Sequence, residues 1–309
     1  MASSHKTVVA TEQRNPRTRG LDLLSTQDIL KKLNREDATV PAAVARQIPA
    51  IGRAVNTMVR ALRAGGRILY VGAGTSARLA ALDAAEVPPT FGISRRTFQA
   101  VIAGGRKALS GAVEGAEDSA SRGAKDIGAM RVAKRDVVIG VAASGSTPYV
   151  IAALKKARKA GAATVGITSN ARSPIARVAQ ILIAPATGPE AIAGSTRLKA
   201  GTAQKLVLNM LSTTTMVRLG RAYDNWMIGV ALTNKKLRRR GARILEQASG
   251  ASVSEAERAL RQSGHDLCVA LIMLKQKTDA AEARNRFRNA RGDLRMTLGE
   301  HKTRGVRNR

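Results

Sequence analysis

Arg67-Ile-Leu-Tyr-Val-Gly-Ala-Gly-Thr-Ser-Ala77 is the stretch from which the fold can be read. An unbroken apolar run, Ile68 to Val71, gives way to small and hydroxylated residues, the pattern of a buried strand emptying into a tight turn that opens a helix. Asp136-Val-Val-Ile-Gly-Val-Ala-Ala-Ser-Gly-Ser-Thr-Pro148 repeats the pattern. Outward from these two, strands are predicted near Phe98–Ile102, Ala163–Thr168 and Ile181–Ala184, with helical segments between them. Short apolar strands alternating with helices predict a parallel sheet covered on both faces.

The flanking segments are helical. Pro41, Val44, Ile48, Ile51, Val55, Met58 and Leu62 open a helical pattern in which Pro49 forces a kink or a split. The helix after Ala77 is expected to end near Glu86, because Pro88-Pro89 opposes continuation. A long helix is expected over Ser195–Leu219. Beyond about residue 230 strand signals stop, and helices are predicted over Lys235–Gln247, after a capping box at Ser254 and Glu257, over Asp266–Lys275 and over Asp279–Asn289. The expected organisation is an N-terminal arm at 1–38, loop-like with a short helix opening at Ser25-Thr26, then an α/β domain at 39–229, an all-helical module at 230–300 and a basic tail at 301–309.

Composition bounds the function. The 309 residues carry 52 Lys+Arg against 22 Asp+Glu, a net charge of +30, which suggests polyanions. Only 2% of residues are aromatic, too few for a base-stacking platform, and the positive charge is spread along the chain. Two runs, Lys235–Arg240 and His301–Arg309, are densely basic and read as a solvated helix face and a chain end. No stretch approaches a membrane span, and Met1–Ala10 has no sustained apolar core, so a cytoplasmic protein is expected. The single cysteine, Cys268, fits a reducing compartment and reads as core. The scattered His5, His265 and His301 lack metal-ligand spacing.

The loops after the two decisive strands carry the chemistry. Gly72-x-Gly74-x-x-Ala77 formally fits a dinucleotide fingerprint, but no Asp or Glu lies between Glu86 and Glu114 to take a ribose hydroxyl; Arg95-Arg96 leaves a 2′-phosphate open. Gly74, Thr75 and Ser76 in the first loop and Ser144, Gly145, Ser146 and Thr147 in the second offer hydroxyls and helix-N-terminal amides. That combination suits a phosphomonoester, and two such loops at the ends of parallel strands converge on one crevice. Ser195, Arg197 and Lys199 sit near an expected helix start, where they either hold an anion or lie on a solvated face. Among the scarce acids, Glu86 is expected at a helix C-terminus and Glu117 with Asp118 at a helix N-terminus. Environments that differ in this way suit a general acid and a general base, Glu86 and Glu117 respectively. The alternative is a pair of acids placed for helix stability.

Taken together, Thr11-Glu-Gln-Arg-Asn-Pro16, Tyr70-Val-Gly-Ala-Gly-Thr-Ser76, Leu82-Asp-Ala-Ala-Glu86 with Pro88-Pro-Thr-Phe-Gly92, Ala112-Val-Glu-Gly-Ala-Glu-Asp118, Gly188-Pro-Glu190 and Gly194–Met210 resemble the N-acetylmuramic acid 6-phosphate etherase family. The resemblance runs from about residue 11 to 300. It implies a sugar isomerase (SIS) fold, a flavodoxin-like α/β/α sandwich with a helical C-terminal module, and a homodimer. It implies a carbon–oxygen lyase that releases D-lactate from N-acetylmuramic acid 6-phosphate in amino-sugar recycling, leaving N-acetylglucosamine 6-phosphate. The residue matching Glu86 would protonate the departing lactate and that matching Glu117 would handle the C2 proton. No cofactor or metal is implied, because the ring-opened aldehyde acidifies C2 unaided. The expected partner is a small-molecule sugar phosphate, with no specific nucleic acid and no membrane. Ala77 and Ala80 stand where the family usually has glycine, and Ser146 where it has arginine. A non-catalytic sugar-phosphate-binding regulator on the same fold is the alternative. An aldose–ketose isomerase and a DNA-binding regulator are further readings, the latter lacking room for an added domain in residues 1–38.

Overall fold

A computed structural model describes residues 10–300. The residues behind two of the expectations, the absence of an apolar leader at 1–9 and the basic tail at 301–309, lie outside that range. The described residues form two compact units, one of 10–85 with 94–214, the other of 86–93 with 215–300.

In the first unit, short 3-10 turns precede α1 (Thr26–Asp37), α2 (Val40–Ala45) and α3 (Ile48–Arg63). The arm therefore contains a helix of 12 residues, capped by Ser25, whose hydroxyl accepts the Asp28 N–H. Pro49 splits rather than kinks the next pattern, since it lies in the first turn of α3, where a missing N–H costs nothing. The core then alternates: β1 (Ile68–Gly72), α4 (Gly74–Phe91), β2 (Phe98–Ile102), α5 (Ala120–Ala129), β3 (Val137–Val141), α6 (Pro148–Lys159), β4 (Ala163–Ile167), α7 (Pro174–Val178), β5 (Ile181–Ile183) and α8 (Lys199–Arg218). All strands pair in parallel in the order β2-β1-β3-β4-β5, with Gly72 level with Val141. Every residue of β1 and β3 is buried, as continuous apolar runs in a sheet covered on both faces require.

The two sheet faces are filled differently. Leu69, Val71 and Val138 pack with Ile127 of α5 and with Tyr149, Val150, Ala153 and Leu154 of α6. On the other face Tyr70 donates its hydroxyl to Asp83 of α4 at 2.7 Å, and Ser212 of α8 donates to the same carboxylate at 2.8 Å. Burial pushes the Asp83 carboxyl up, against the pull of these hydrogen bonds. Asp83 is thus a buried acid engaged in joining β1, α4 and α8.

Several boundaries differ from the sequence expectation. Helix α4 runs through Pro88 and Pro89 to Phe91 instead of stopping near Glu86. The φ to which the proline ring is confined is compatible with a helix, Val87, Pro88 and Phe91 are buried, and the Thr90 hydroxyl donates to the Glu86 carbonyl at 2.7 Å. Burial of these apolar groups offsets the missing donors. Glu86 is therefore more than a turn from the helix end, and the helix-dipole argument for it does not apply. Glu117 and Asp118 lie in a turn before α5 instead of in its first turn; the N-cap is Ser119, whose hydroxyl accepts the Arg122 N–H. Helix α8 begins at Lys199, four residues later than expected.

The second unit contains α9 (Lys235–Ser249), α10 (Val253–Gln262), α11 (Leu267–Gln276), α12 (Ala280–Asn289) and α13 (Leu294–Thr297). Residues 267–273 of α11 are buried on every side, with α9, α10, α12 and α13 packed around them. An all-round apolar helix can be stable in water only in such a central place. Cys268 belongs to this core, and burial pushes its thiol up to about 12. The capping box is Ser252 with Glu255, not Ser254 with Glu257. Both pairs have the right spacing; the earlier one serves because α9 is already closed by Gly250 in the left-handed conformation. Among the described residues no helix is long and apolar enough to cross a membrane.

Candidate functional site

The strand order runs one way from β1 to β2 and the other way from β3 to β5, so the loops leaving β1 and β3 diverge and open a crevice at the carboxyl ends of the strands. A cavity of about 540 Å³ lies there, lined by Ala73–Ser76, Val141–Ser144, Ser146–Pro148, Glu117, Asp118, Glu12, Gly194 and Thr196. The two hydroxyl-rich loops singled out in the sequence are brought together, with α4 and α6 starting at its wall.

The second loop is held rigidly. Gly145 has φ +70°, and a Cβ there would fall 2.2 Å from the Ser173 hydroxyl oxygen, so only glycine fits. Its carbonyl accepts the Ile175 N–H at 3.0 Å, while the Ala143 carbonyl accepts the Ser169 N–H at 2.9 Å and the Thr168 hydroxyl at 3.0 Å. Gly145 thus shapes the loop from behind and does not itself line the cavity. Ser144 and Ser146 share a hydroxyl hydrogen bond of 2.8 Å. Thr147 is the N-cap of α6 but its side chain makes no cap hydrogen bond, which leaves that hydroxyl for a ligand, whereas Pro148 has no N–H to offer and the Tyr149 N–H is given to the Glu117 carbonyl. Ala77 and Ala80 are buried and do not line the cavity, so the exchange of glycine for alanine does not narrow it.

Glu117 is carried over this crevice by the turn before α5. Its carbonyl accepts the Tyr149 N–H at 3.0 Å, and the Tyr149 hydroxyl donates to Asp126 of α5 at 2.8 Å. The carboxylate itself is exposed and faces the cavity. Glu86 belongs to the second unit, where its side chain is exposed on α4.

Two other expected anion ligands are placed elsewhere. Lys199 is completely buried, and its ammonium sits 2.7 Å from Glu36. Glu36 also accepts hydrogen bonds from Asn15 at 2.8 Å and from the Arg17 guanidinium. The Lys199 charge is therefore spent on the protein, not offered to a ligand. The backbone amides of Lys199 and Ala200 are likewise taken, by the Glu190 carboxylate at 2.9 Å each, which caps α8 from outside the helix. Ser195 is half-buried beside the cavity lining, where Gly194 and Thr196 take part instead. Among the described residues the cavity has no Lys, Arg or His in its wall. Any anion held there is held by helix amides and hydroxyls. Glu12 joins the lining without having been read as functional; its only signal was its place in Thr11–Pro16.

The Glu36 cluster has a pH signature. The Arg17 hydrogen bond, with help from Lys199 and Asn15 and against the burial cost, lowers the Glu36 carboxyl from 4.5 to about 2. A group with a depressed folded value stabilises the fold above its unfolded value and loses that contribution as pH falls toward the folded one. Melting temperature is thus expected to drop between pH 4.5 and about 2, and to drop less in Glu36→Gln; parallel curves for the two proteins would count against the assignment.

Comparison with known proteins covers most of the chain. Residues 50–158 match the model of the glucokinase regulatory protein N-terminal SIS domain, and residues 120–214 that of the SIS domain. The chain is 51% identical over 290 residues to the N-acetylmuramic acid 6-phosphate etherase of Serratia proteamaculans, covering 94% of this chain and 98% of that one. It is 48% identical, over the same length and coverage, to the protein of that name in Geobacillus thermodenitrificans. Among solved structures, a phosphoheptose isomerase from Francisella tularensis aligns with a TM-score of 0.50 at 18% identity, covering 63% of this chain and 100% of that one, a likeness of fold.

Proposed function

The chain belongs to the N-acetylmuramic acid 6-phosphate etherase family, and from that premise we propose that it cleaves the D-lactyl ether of N-acetylmuramic acid 6-phosphate in amino-sugar recycling. The reaction is an elimination followed by hydration, which makes the enzyme a carbon–oxygen lyase. In the open-chain sugar the aldehyde acidifies the C2–H bond, and the ether oxygen on C3 is the β leaving group. The Glu117 carboxylate takes the C2 proton, the C3–O bond breaks, and the departing oxygen takes up a proton, a role that family resemblance gives to Glu86. Water then adds at C3 and a proton returns to C2, giving N-acetylglucosamine 6-phosphate and D-lactate. The phosphate is held by the hydroxyls of Thr75, Ser76, Ser144, Ser146 and Thr147 with the amides at the start of α4.

What supports this reading most is the pairing, in one cavity, of an exposed carboxylate with two hydroxyl-rich loops at helix N-termini. Neutral donors are a reasonable choice beside a general base. A lysine or arginine within about 4–6 Å would hold the base more firmly as the anion and weaken its pull on a proton. Family resemblance further suggests a cytoplasmic homodimer.

Purified protein incubated with N-acetylmuramic acid 6-phosphate is expected to release D-lactate, and Glu86→Gln and Glu117→Gln are each expected to abolish most of that release. Saturable sugar-phosphate binding without lactate would instead indicate a binding protein on the same fold.

A further inference from the structure

Two carboxylates that line the cavity, Asp118 and Glu12, have no role in the chemistry above. Glu12 reaches the site from the N-terminal arm, in the short turn Ala10–Glu12, and not from a sheet loop. Among the described residues its side chain makes no hydrogen bond or ion pair, although the protein carries 52 cationic side chains.

The arm is fastened so as to present it. The Thr11 carbonyl accepts the Gly194 N–H at 3.1 Å, the Thr18 hydroxyl donates to the Ala191 carbonyl at 2.8 Å, and Asn15 donates to the Pro189 carbonyl at 3.2 Å. The buried Glu36–Lys199 pair, with Asn15 and Arg17, anchors the same segment from below. Gly194 makes room for the side chain. It has φ +78°, and a Cβ at this position would lie 3.1 Å from Oε2 of Glu12. The positive φ favours glycine at 194, and the carboxylate lies close against it.

A carboxylate at this place repels a phosphate dianion and accepts hydrogen bonds from hydroxyl groups. The cavity lining therefore carries two chemically opposite kinds of group. The hydroxyls of the two loops, with the amides at the start of α4, take the phosphate, and the carboxylate takes the polyol. With Glu117 assigned to the proton at C2, we propose that Glu12 is a substrate-specificity residue, its carboxylate accepting hydrogen bonds from the sugar hydroxyls and so selecting phosphorylated open-chain polyols over phosphate itself. The assignment rests on the etherase reading for the identity of the sugar, but its geometry requires only a sugar phosphate.

Binding of inorganic phosphate, glucitol 6-phosphate and N-acetylglucosamine 6-phosphate, measured by calorimetry on the full chain and on Glu12→Ala and Glu12→Gln, tests it. Glu12→Ala is expected to weaken both sugar phosphates about 10- to 100-fold, the range for losing charge-assisted hydrogen bonds, while phosphate binds as well as before or better. Glu12→Gln, which still accepts hydrogen bonds, is expected to fall between. In turnover, KM rises by the same factor and kcat stays within a few-fold. Equal weakening of phosphate and sugar phosphates, no weakening of either, or no sugar-phosphate binding by the unaltered protein would each overturn the assignment. Lactate release with a KM indifferent to Glu12 would overturn it and leave the etherase standing. Glu12-dependent sugar-phosphate binding without lactate release would do the reverse.

Discussion

Glu117→Gln is expected to lower kcat for lactate release by about 10²- to 10⁴-fold, the usual worth of a positioned general base, while leaving affinity for N-acetylglucosamine 6-phosphate within a few-fold. The separation of the two effects follows from how the residue is held. The backbone of Glu117 fixes the turn to α6 through Tyr149, and glutamine keeps that backbone contact and nearly the same shape. What is lost is the ability to accept the C2 proton. The second hydroxyl-rich loop owes its shape to Gly145, Ser173 and Thr168 and not to the Glu117 side chain, so ligand binding is expected to persist. Steady-state kinetics paired with calorimetry gives both numbers. A matching loss of affinity and of kcat would place Glu117 in the architecture of the cavity and not in proton transfer.

Lys199→Met is expected to cost about 3–5 kcal/mol of stability, because it leaves Glu36 charged, buried and short of its ammonium partner. For a protein of this size that corresponds to a fall in melting temperature of roughly 6–20 °C. Arg17 and Asn15 still reach Glu36, which argues for the lower half of the range. Adding Glu36→Gln to Lys199→Met is expected to recover part of the loss, since the uncompensated charge is then gone. Below its melting temperature the single variant is expected to bind inorganic phosphate within about threefold of the unaltered protein, because the Lys199 ammonium does not reach the cavity. Loss of phosphate affinity without loss of stability would restore the lysine to the ligand site that its sequence position suggested.

That contrast shows where sequence reading succeeds. The sheet was legible because its evidence is local. Ile68–Val71 and Val137–Val141 are apolar without alternation, and each is followed at once by glycine and hydroxyls, so strand, turn and helix start are written in one stretch. The convergence of the two loops followed from topology alone, given parallel strands. The misplacements have a common cause. Lys199 looked free because its partner, Glu36, lies 163 residues away, and nothing near either residue announces the pair. The prolines at 88 and 89 obeyed local propensity less than the burial of Val87 and Phe91 around them. Glu12 escaped notice for the same reason, since only the folded arm brings it to Gly194. The capping box expected at Ser254 and Glu257 forms at Ser252 and Glu255, a pair of the same spacing that follows directly on the end of the preceding helix. Local chemistry placed the loops; long-range partners decided which charges were left to act on a substrate.

The mechanism stands or falls on which carbon–oxygen bond breaks. Turnover of N-acetylmuramic acid 6-phosphate in ¹⁸O-labelled water, followed by mass analysis of both products, reads this directly. Elimination and rehydration put the label in the C3 hydroxyl of N-acetylglucosamine 6-phosphate and none in D-lactate. Label in the lactate, with an unlabelled sugar, would mean attack on the lactyl carbon and would contradict the roles given to Glu86 and Glu117.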